Sequence, residues 1–434
     1  MNIKTLTQMT HHDWLEFAIY NLEDRAVPNV IDGLKPSQRF ILYSTLKNAK
    51  DKFKKVAEIA GSVSSYGYHH AETSAQDAAI NMAAEWQNNY PLLEGDGNFG
   101  TRLVPKASAA RYVFAKLHKN YTNFFIDDDL APEHPDEEIL IPKFYLPIIP
   151  FVLVNGVKGT ATGYATLILP YDALEIAKLC KAYLGGKNID NYSLIPKFPQ
   201  FSGKVERNAK GGFDLIGNYT KISETKLEIN EVPYQYDREH YIEVLDDLEE
   251  KGIIAGYDDP CDDGFRFIIK LRRGFKGDIE KIFKLRRSIT ENLNVIDQNG
   301  KLKEYDNPIQ LIKDFCDFRI TYVDLRIKTE ISRLIADMAL LKAKMKFIEL
   351  VLENKIEFKN KSKKILSDDL ISLKFNVDHL DALLSMNFYH LTVEEIDKLG
   401  SKYLTLNDRL HYCKSTNANK EYMLNIEQLI KQLK

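Results

Sequence analysis

Between positions 318 and 357 the apolar residues Val323, Ile327, Ile331, Leu334, Met338, Leu341, Met345, Ile348 and Leu352 recur at steps of three or four. That spacing keeps one face of a long α-helix apolar from end to end. At ~1.5 Å per residue such a helix runs roughly 60 Å. It needs a partner for its apolar stripe, and Met423, Ile426, Leu429, Ile430 and Leu433 in the stretch 419–433 offer one. Pairing the two antiparallel makes an arm with residues 366–405 at its tip. Periodicity alone describes a coiled-coil interaction module.

The chain has 434 residues, room for about three domains of ~150 residues each. Its 44% hydrophobic and 28% charged residues match an ordinary globular protein. Cys180, Cys261, Cys316 and Cys413 are scattered without a CxxC pair. This excludes a disulfide framework and a thiolate zinc site, and points to reduced thiols in a cytoplasmic setting. The N-terminus has no apolar core of a signal peptide. No run of ~18 apolar residues exists to span a membrane. The longest apolar patch, 148–154, is broken by Pro150 and has the length of a strand. The net charge of −3 argues against a polyanion binder overall, but local distribution decides. Lys35, Arg39, Lys54, Lys55, Arg102, Lys106, Arg111, Lys116 and Lys119 precede residue 120, and acids cluster just after it.

Residues 13–24 read as a helix with Trp14, Phe17, Ala18 and Leu22 on one face. Pro28 then pushes the chain out of the helical region. A turn at 32–36 feeds a second helix, 37–46, with Phe40, Ile41 and Leu46 inward and Arg39 exposed. Helices over 55–62 and 74–86 flank a loop containing His69 and His70, a helix-turn-helix arrangement able to present one helix to DNA. Adjacent loop histidines with no Cys or acid at ligand spacing are poor metal ligands. They suit hydrogen bonds to phosphate, or simply form a loop ahead of a helix capped by Thr73.

The stretch 95–117, GDGNFGTRLVPKASAARYVFAKL, places Gly95, Gly97 and Gly100 where a backbone can approach a ligand. Arg102, Lys106 and Arg111 add cations, and small residues at 107–110 leave Tyr112 unobstructed. A phenol beside an arginine is a candidate nucleophile for a phosphodiester, although the same two residues equally describe a packed aromatic beside a surface cation. Asp127, Asp128 and Asp129 read as a solvated loop. Gly156, Gly159 and Gly163 mark a turn between two strands. From 170 to 310 the pattern is mixed α/β, with strands at 225–229 and 266–271 and a helix at 238–251 that buries Ile242, Leu245 and Leu248.

Four motifs occur in a fixed order: RAVPNVIDGLKPSQRFILYS, KVAEIAGSVSSYGYHHAETS, GDGNFGTRL with ASAARYVFAKL, and LVNGVKGTATGYATLILPYD. Together they resemble the breakage-reunion half of type IIA DNA topoisomerases (gyrase A, its topoisomerase IV counterpart, and the central part of the eukaryotic enzyme). The wording sits between bacterial and eukaryotic versions and is most similar to the medium subunits of T-even-type phage enzymes. The resemblance implies an α+β multidomain fold. Residues 1–165 would be a winged-helix DNA-cleavage domain, 166–315 an α/β tower, and 316–434 a coiled-coil arm with a dimerisation tip.

It also assigns roles. Tyr112 falls at the nucleophile that forms a 5′-phosphotyrosyl link, and Arg111 at the arginine that stabilises the phosphorus transition state. Arg25, Lys35, Arg39, Lys55, His69, His70, Thr73 and Arg102 match the DNA-facing side, with Thr73 and Asp77 at quinolone-contact positions. Thr160 stands where the family inserts an isoleucine between base pairs, and Ala71 where it usually has glycine. No metal ligands are expected on this chain. It has no GxxxxGK[ST] motif and no Toprim acidic set, so Mg²⁺ and ATP are expected on a partner subunit. The implied assembly is a homodimer with an ATPase/Toprim partner on double-stranded DNA, in the cytoplasm of the cell or of a viral host. The chain ends on the return helix with no DNA-wrapping domain, which favours relaxation or decatenation over supercoiling. Two other readings stand beside it: a weakened DNA-bending scaffold of the same assembly, and a tyrosine recombinase, whose Arg/His/Arg set is not found.

Overall fold

The computed structural model describes residues 25–161, 164–357 and 361–434. The expected helix at 13–24 and the turn residues Thr162 and Gly163 lie outside them. The described residues form two compact units, one running up to Arg319 and including Asn425–Lys434, the other being Ile320–Leu424. The first unit therefore joins the two stretches expected as separate domains on either side of residue 165.

Helix α1 (Pro36–Asn48) starts with proline at its first position, and the Gln38 side chain accepts from the Lys35 backbone N–H at 2.9 Å. Arg39, expected at the surface, is buried instead. Asp32 causes this: its carboxylate is fully buried and takes Arg39 Nε at 2.7 Å and Nη2 at 3.1 Å. It also accepts from the backbone N–H of Leu34 and of Tyr145. A buried carboxylate with these donors leaves Arg39 unavailable to a ligand.

Strand β1 (Lys54–Lys55) leads into α2 (Val56–Gly61), then a 3₁₀ turn to Tyr66 that ends at Gly67 with φ 95°. Helix α3 (Glu72–Ala83) begins earlier than expected, with Ala71 at its N-cap and no capping side chain, so Thr73 is not the cap. Strands β2 (Leu93–Asp96) and β3 (Phe114–Leu117) complete an antiparallel sheet in the order β1-β3-β2. The 148–154 patch is not a strand, since the chain turns through a short helix, Val152–Asn155, right after Pro150, with Phe151, Val152 and Leu153 buried. Nor is the 127–129 loop merely solvated. Asp127 is bonded at 2.5 Å by the buried guanidinium of Arg319.

A hairpin follows, β4 (Val157–Ala161) with β5 (Tyr164–Ile168), and then α4 (Ala173–Leu184), capped by Asp172. The next strands, β6 (Lys204–Arg207), β7 (Phe213–Ile216), β8 (Tyr219–Ser223) and β9 (Lys226–Ile229), precede α5 (Arg238–Glu250). After it come β10 (Ile254–Asp258), β11 (Phe267–Leu271) and β12 (Arg286–Ile289). They form the sheets β10-β11-β9-β8 and β12-β7-β6. Leu227, Ile229, Phe267 and Ile269 alternate onto one face and pack with Tyr241, Leu245 and Leu248 of α5. Both expected strands and the expected helix fall here, with Ile242 only partly buried.

The long helix is α6 (Pro308–Leu352), starting ahead of the expected 318. In the second unit the helix packed antiparallel to it is α7 (Val393–Ser415), a stretch the expected pairing did not use. Leu334 and Met338 pack with Leu410 and Cys413, while Leu341 and Ile348 pack with Leu399. The falling numbers on α7 make the pair antiparallel. Arg409 adds a two-point bond to Glu330 at 2.7 and 3.0 Å. The sequence signal for this pairing is Val393, Ile396, Leu399, Tyr403, Leu406, Leu410 and Cys413, also at steps of three or four. The last helix, α8 (Ala418–Gln432), is tied near its end to α4 by Lys181 and Glu427 at 2.8 Å. At the tip, Leu383 is buried with Phe347, Leu370 and Phe375, and Leu384, Met386 and Leu391 pack onto the same cluster. These residues close a small local core. Among the described residues, the exposed apolar side chains there include Ile371, Val377, Tyr389, Val393 and Leu404.

Removing one partner of the Asp32–Arg39 pair strands a buried charge. Asp32→Ala should cost about 3 kcal/mol, read as an earlier urea midpoint at unchanged slope. A change below about 0.5 kcal/mol, the size of an ordinary surface substitution, would show that the pair is dispensable.

A candidate nucleic-acid interface

Tyr112 is 65% exposed, whereas its neighbours Ala110 and Val113 are buried. Its backbone N–H closes a turn on Ala109 O at 2.8 Å. The turn is fastened to the start of α2, where Val56 N–H donates to Val113 O at 3.0 Å and Ala57 N–H to Ala110 O at 3.1 Å. Pairing of β1 with β3 sets Lys55 opposite Phe114, two residues from Tyr112. Lys54, Lys55, Lys106 and Arg111 are exposed. The Arg111 guanidinium lies 4.7 Å from the centroid of the Tyr112 ring. A cation in that position stabilises an anion held beside the ring.

The glycines serve the chain itself. A Cβ on Gly95 would meet the Phe99 ring at 2.5 Å. Gly100, at φ 79°, would meet Pro105 O at 2.5 Å. Asn98 bridges the turn, accepting Gly100 N–H on Oδ1 at 2.9 Å and Ser108 N–H on its carbonyl at 3.0 Å. Trp86 Nε1 donates to Phe99 O at 3.1 Å, and Tyr234 Oη donates to Trp86 O at 2.9 Å. Asn98 was readable as a turn residue between glycines. Nothing in the sequence marked Trp86 or Tyr234.

Arg102 turns away from any ligand. It is buried, donating to Glu231 Oε2 and Gln200 O at 2.9 Å each, with Phe201, Tyr234 and Phe265 rings 5.0 to 5.4 Å from its guanidinium carbon. A guanidinium matched by a carboxylate and three aromatic faces belongs to the interior, which corrects its assignment to DNA.

A second grouping forms on the β4–β5 hairpin. Lys35 Nζ donates to Lys158 O at 2.7 Å, and the half-buried ammonium has its pKa lowered by desolvation. Gly159 rests against Ala26, since a Cβ there would lie 2.0 Å from Ala26 O, so Arg25 and Thr160 come near the same edge. Both are exposed. Thr160 pairs with Ala165 near the hairpin's end. His69 is exposed, while the His70 ring packs edge-on to Tyr68 at 5.3 Å, and Tyr68 packs on Phe40 at 5.2 Å. The histidines thus diverge. Thr73 is exposed in the first turn of α3. That helix start, without a capping side chain, leaves backbone N–H groups for an anion.

Among the described residues no three His, Cys, Asp or Glu side chains are grouped to hold a metal ion, and Asp127 is engaged by Arg319. These residues do not fit a Mg²⁺ site. Two substitutions separate internal from external cations. Lys54→Gln with Lys55→Gln should lessen the slope of log K against log salt for duplex binding by about 0.9 for each phosphate no longer neutralised. Arg102→Met should leave that slope unchanged and lower the melting temperature.

The family described as the A subunit of DNA gyrase/topoisomerase IV matches residues 25–433. The DNA topoisomerase medium subunit of Enterobacteria phage T4 is 41% identical, over 99% of both chains. DNA topoisomerase 2 of Plasmodium falciparum is 29% identical over 97% of this chain and 34% of its own length. Human DNA topoisomerase 2-alpha is 32% identical over 87% of this chain and 26% of its own length. The chain thus spans about a third or less of those two relatives. In solved structures, the P. falciparum topoisomerase II DNA-binding, cleavage and re-ligation domain superposes with a TM-score of 0.88 at 30% identity, over 96% of this chain and 63% of that one. A match along nearly the whole chain, in sequence and in fold, places it in the family of DNA gyrase and topoisomerase IV A subunits, within the type II DNA topoisomerases.

Proposed function

We propose that Tyr112 is the nucleophile with which this chain opens and reseals DNA. The phenol oxygen attacks a backbone phosphorus, and the P–O3′ bond breaks. The 3′-oxygen leaves as a hydroxyl once it takes up a proton, and the strand is held as a 5′-phosphotyrosyl ester. Attack by the same 3′-hydroxyl reverses the step and frees Tyr112. The observation that carries this reading is an exposed phenol with the Arg111 guanidinium against its ring, on a turn pinned to α2. Arg111 stabilises charge that grows on the phosphate oxygens during the exchange.

Helices α1 to α3 with the β1-β3-β2 sheet serve as the winged-helix cleavage domain, and the sheets from β6 to β12 as the tower. The α6–α7 arm carries the exit gate of a homodimer, at which the exposed Val377 and Tyr389 meet their copies. Lys55, His69, His70, Thr73, Arg25, Lys35 and Thr160 are the DNA-facing set, and Thr73 with Asp77 the drug-facing pair. ATP hydrolysis and the Mg²⁺ that assists phosphoryl transfer belong to a partner subunit, in a host cytoplasm if the protein is viral. The assembly relaxes or decatenates DNA by passing a second duplex through a transient double-strand break.

The test incubates the chain with an ATPase/Toprim partner, Mg²⁺ and supercoiled DNA, then denatures it and probes 5′ ends for bound protein. Tyr112→Phe should abolish the adduct while duplex affinity holds. An adduct that survives would place the nucleophile elsewhere. Thr160→Ile should increase bending of the gate duplex, seen as higher transfer efficiency between end-labelled fluorophores, because isoleucine offers more apolar surface to wedge between bases. Unchanged efficiency would remove Thr160 from the bending step.

A further inference from the structure

A cavity of about 740 Å³ opens on α1, lined on one side by Tyr43 and Lys47 and on the other by Asp128, Tyr145 and the 131–142 segment. Its volume is that of a small-ligand site. None of the residues assigned to cleavage or DNA binding lines it. Its chemistry is the reverse of theirs: Asp128, Glu133, Asp136 and Glu137 supply carboxylates against the ammonium of Lys47. Carboxylates of this density repel a phosphate backbone.

A second observation is independent of the acids. Tyr145 is 3% exposed, lines the cavity, and its hydroxyl has no hydrogen-bond partner. Buried polar groups in folded proteins almost always have partners, so an orphan at a cavity wall marks where a ligand atom belongs. The ring of Tyr121, also buried, packs edge-on to Tyr145 at 6.1 Å. The Asp128 charge acts on both phenols, raising the pKa of each beyond the effect of burial. The carboxyl of Asp128 is itself pushed up by desolvation. Around these polar atoms the wall is apolar, with Leu46, Ile139 and Ile141, and Leu140 is exposed at the rim. Lys47 already shows how a cation settles here, with its Nζ 5.3 Å from the centroid of the Tyr43 ring.

We propose that this cavity binds an alkyl-ammonium or alkyl-guanidinium group, its N–H donors meeting the Asp128 carboxylate and the Tyr145 hydroxyl and its carbon stem lying on the apolar wall. Either a free organic amine or a basic side chain of a second polypeptide carries that group. A bare divalent ion does not suit the site, because no three ligating side chains are grouped among the described residues. The two faces of the cleavage region then sort their ligands by charge, polyanion on one and organic cation on the other.

The test titrates the full chain with agmatine, with N-acetyl-Gly-Arg-Gly-amide, and with butyrate as the anionic control, by calorimetry. Agmatine, the peptide or both should bind saturably with one site per chain, and butyrate should not. Tighter binding of the peptide identifies a polypeptide source, and tighter binding of agmatine a free amine. Asp128→Asn should weaken binding about tenfold, the usual loss for a charge-assisted hydrogen bond. Tyr145→Phe and the exposed-site variant Glu137→Gln should each weaken it less, and Glu137→Gln keeps the test open if Asp128→Asn does not fold. Absence of saturable binding by both cationic probes, or binding untouched by all variants that fold, overturns the proposal.

Discussion

The buried pair of Arg102 and Glu231 sets the frame in which Tyr112 stands. Arg102 begins the segment that ends at Tyr112, and Glu231 lies just past the end of strand β9. Joining them ties the turn at 97–112 to residues far along the chain. The Glu231 carboxylate also accepts from the backbone N–H and hydroxyl of Ser202 at 3.0 Å each, so the charge is spread over several donors. Such a pair contributes little net stability beyond its desolvation cost. Its value is geometric, because a misplaced loop would strand both charges in an apolar interior. Trp86 and Tyr234 repeat the tie at a second point.

Around this frame the molecule separates its cations into two kinds. Arg39, Arg102 and Arg319 are internal, each matched to a buried carboxylate: Asp32, Glu231 and Asp127. Lys54, Lys55, Lys106 and Arg111 remain outside, exposed to solvent. A basic residue count along the N-terminal part merges the two kinds. The sorting depends on where the acids lie, 7 residues away for Asp32 but 129 for Glu231 and 192 for Asp127. No local pattern announces the last two partners.

Much of the fold was nonetheless legible. Helices α1 and α5 and strands β9 and β11 lie close to where periodicity puts them, since each buries a face that its own sequence makes apolar. The arm was legible as an arm, because so long an apolar stripe has few other uses. Its partner was not. Both 393–415 and 419–433 carry a matching stripe, and periodicity states that a face will be covered without stating by what. The tip shows the same limit. Leu383 and Met386 pack on the chain's own short helices, while Val377 and Tyr389 are exposed, a division that spacing along the chain does not announce.

By itself the sequence determined the chemical inventory: a tyrosine after an arginine amid small residues, turn glycines, and four ordered motifs sufficient to name a family. These are local properties, carried by residue type and spacing. Tertiary structure decided which cations reach solvent, which helix returns along the arm, and that the glycines make room for Phe99, Val113 and Pro105. It also placed an acid-lined cavity with an orphaned phenol behind α1. Each of those outcomes depends on long-range packing and on burying charge only where a partner waits, a condition met across the fold rather than along the chain.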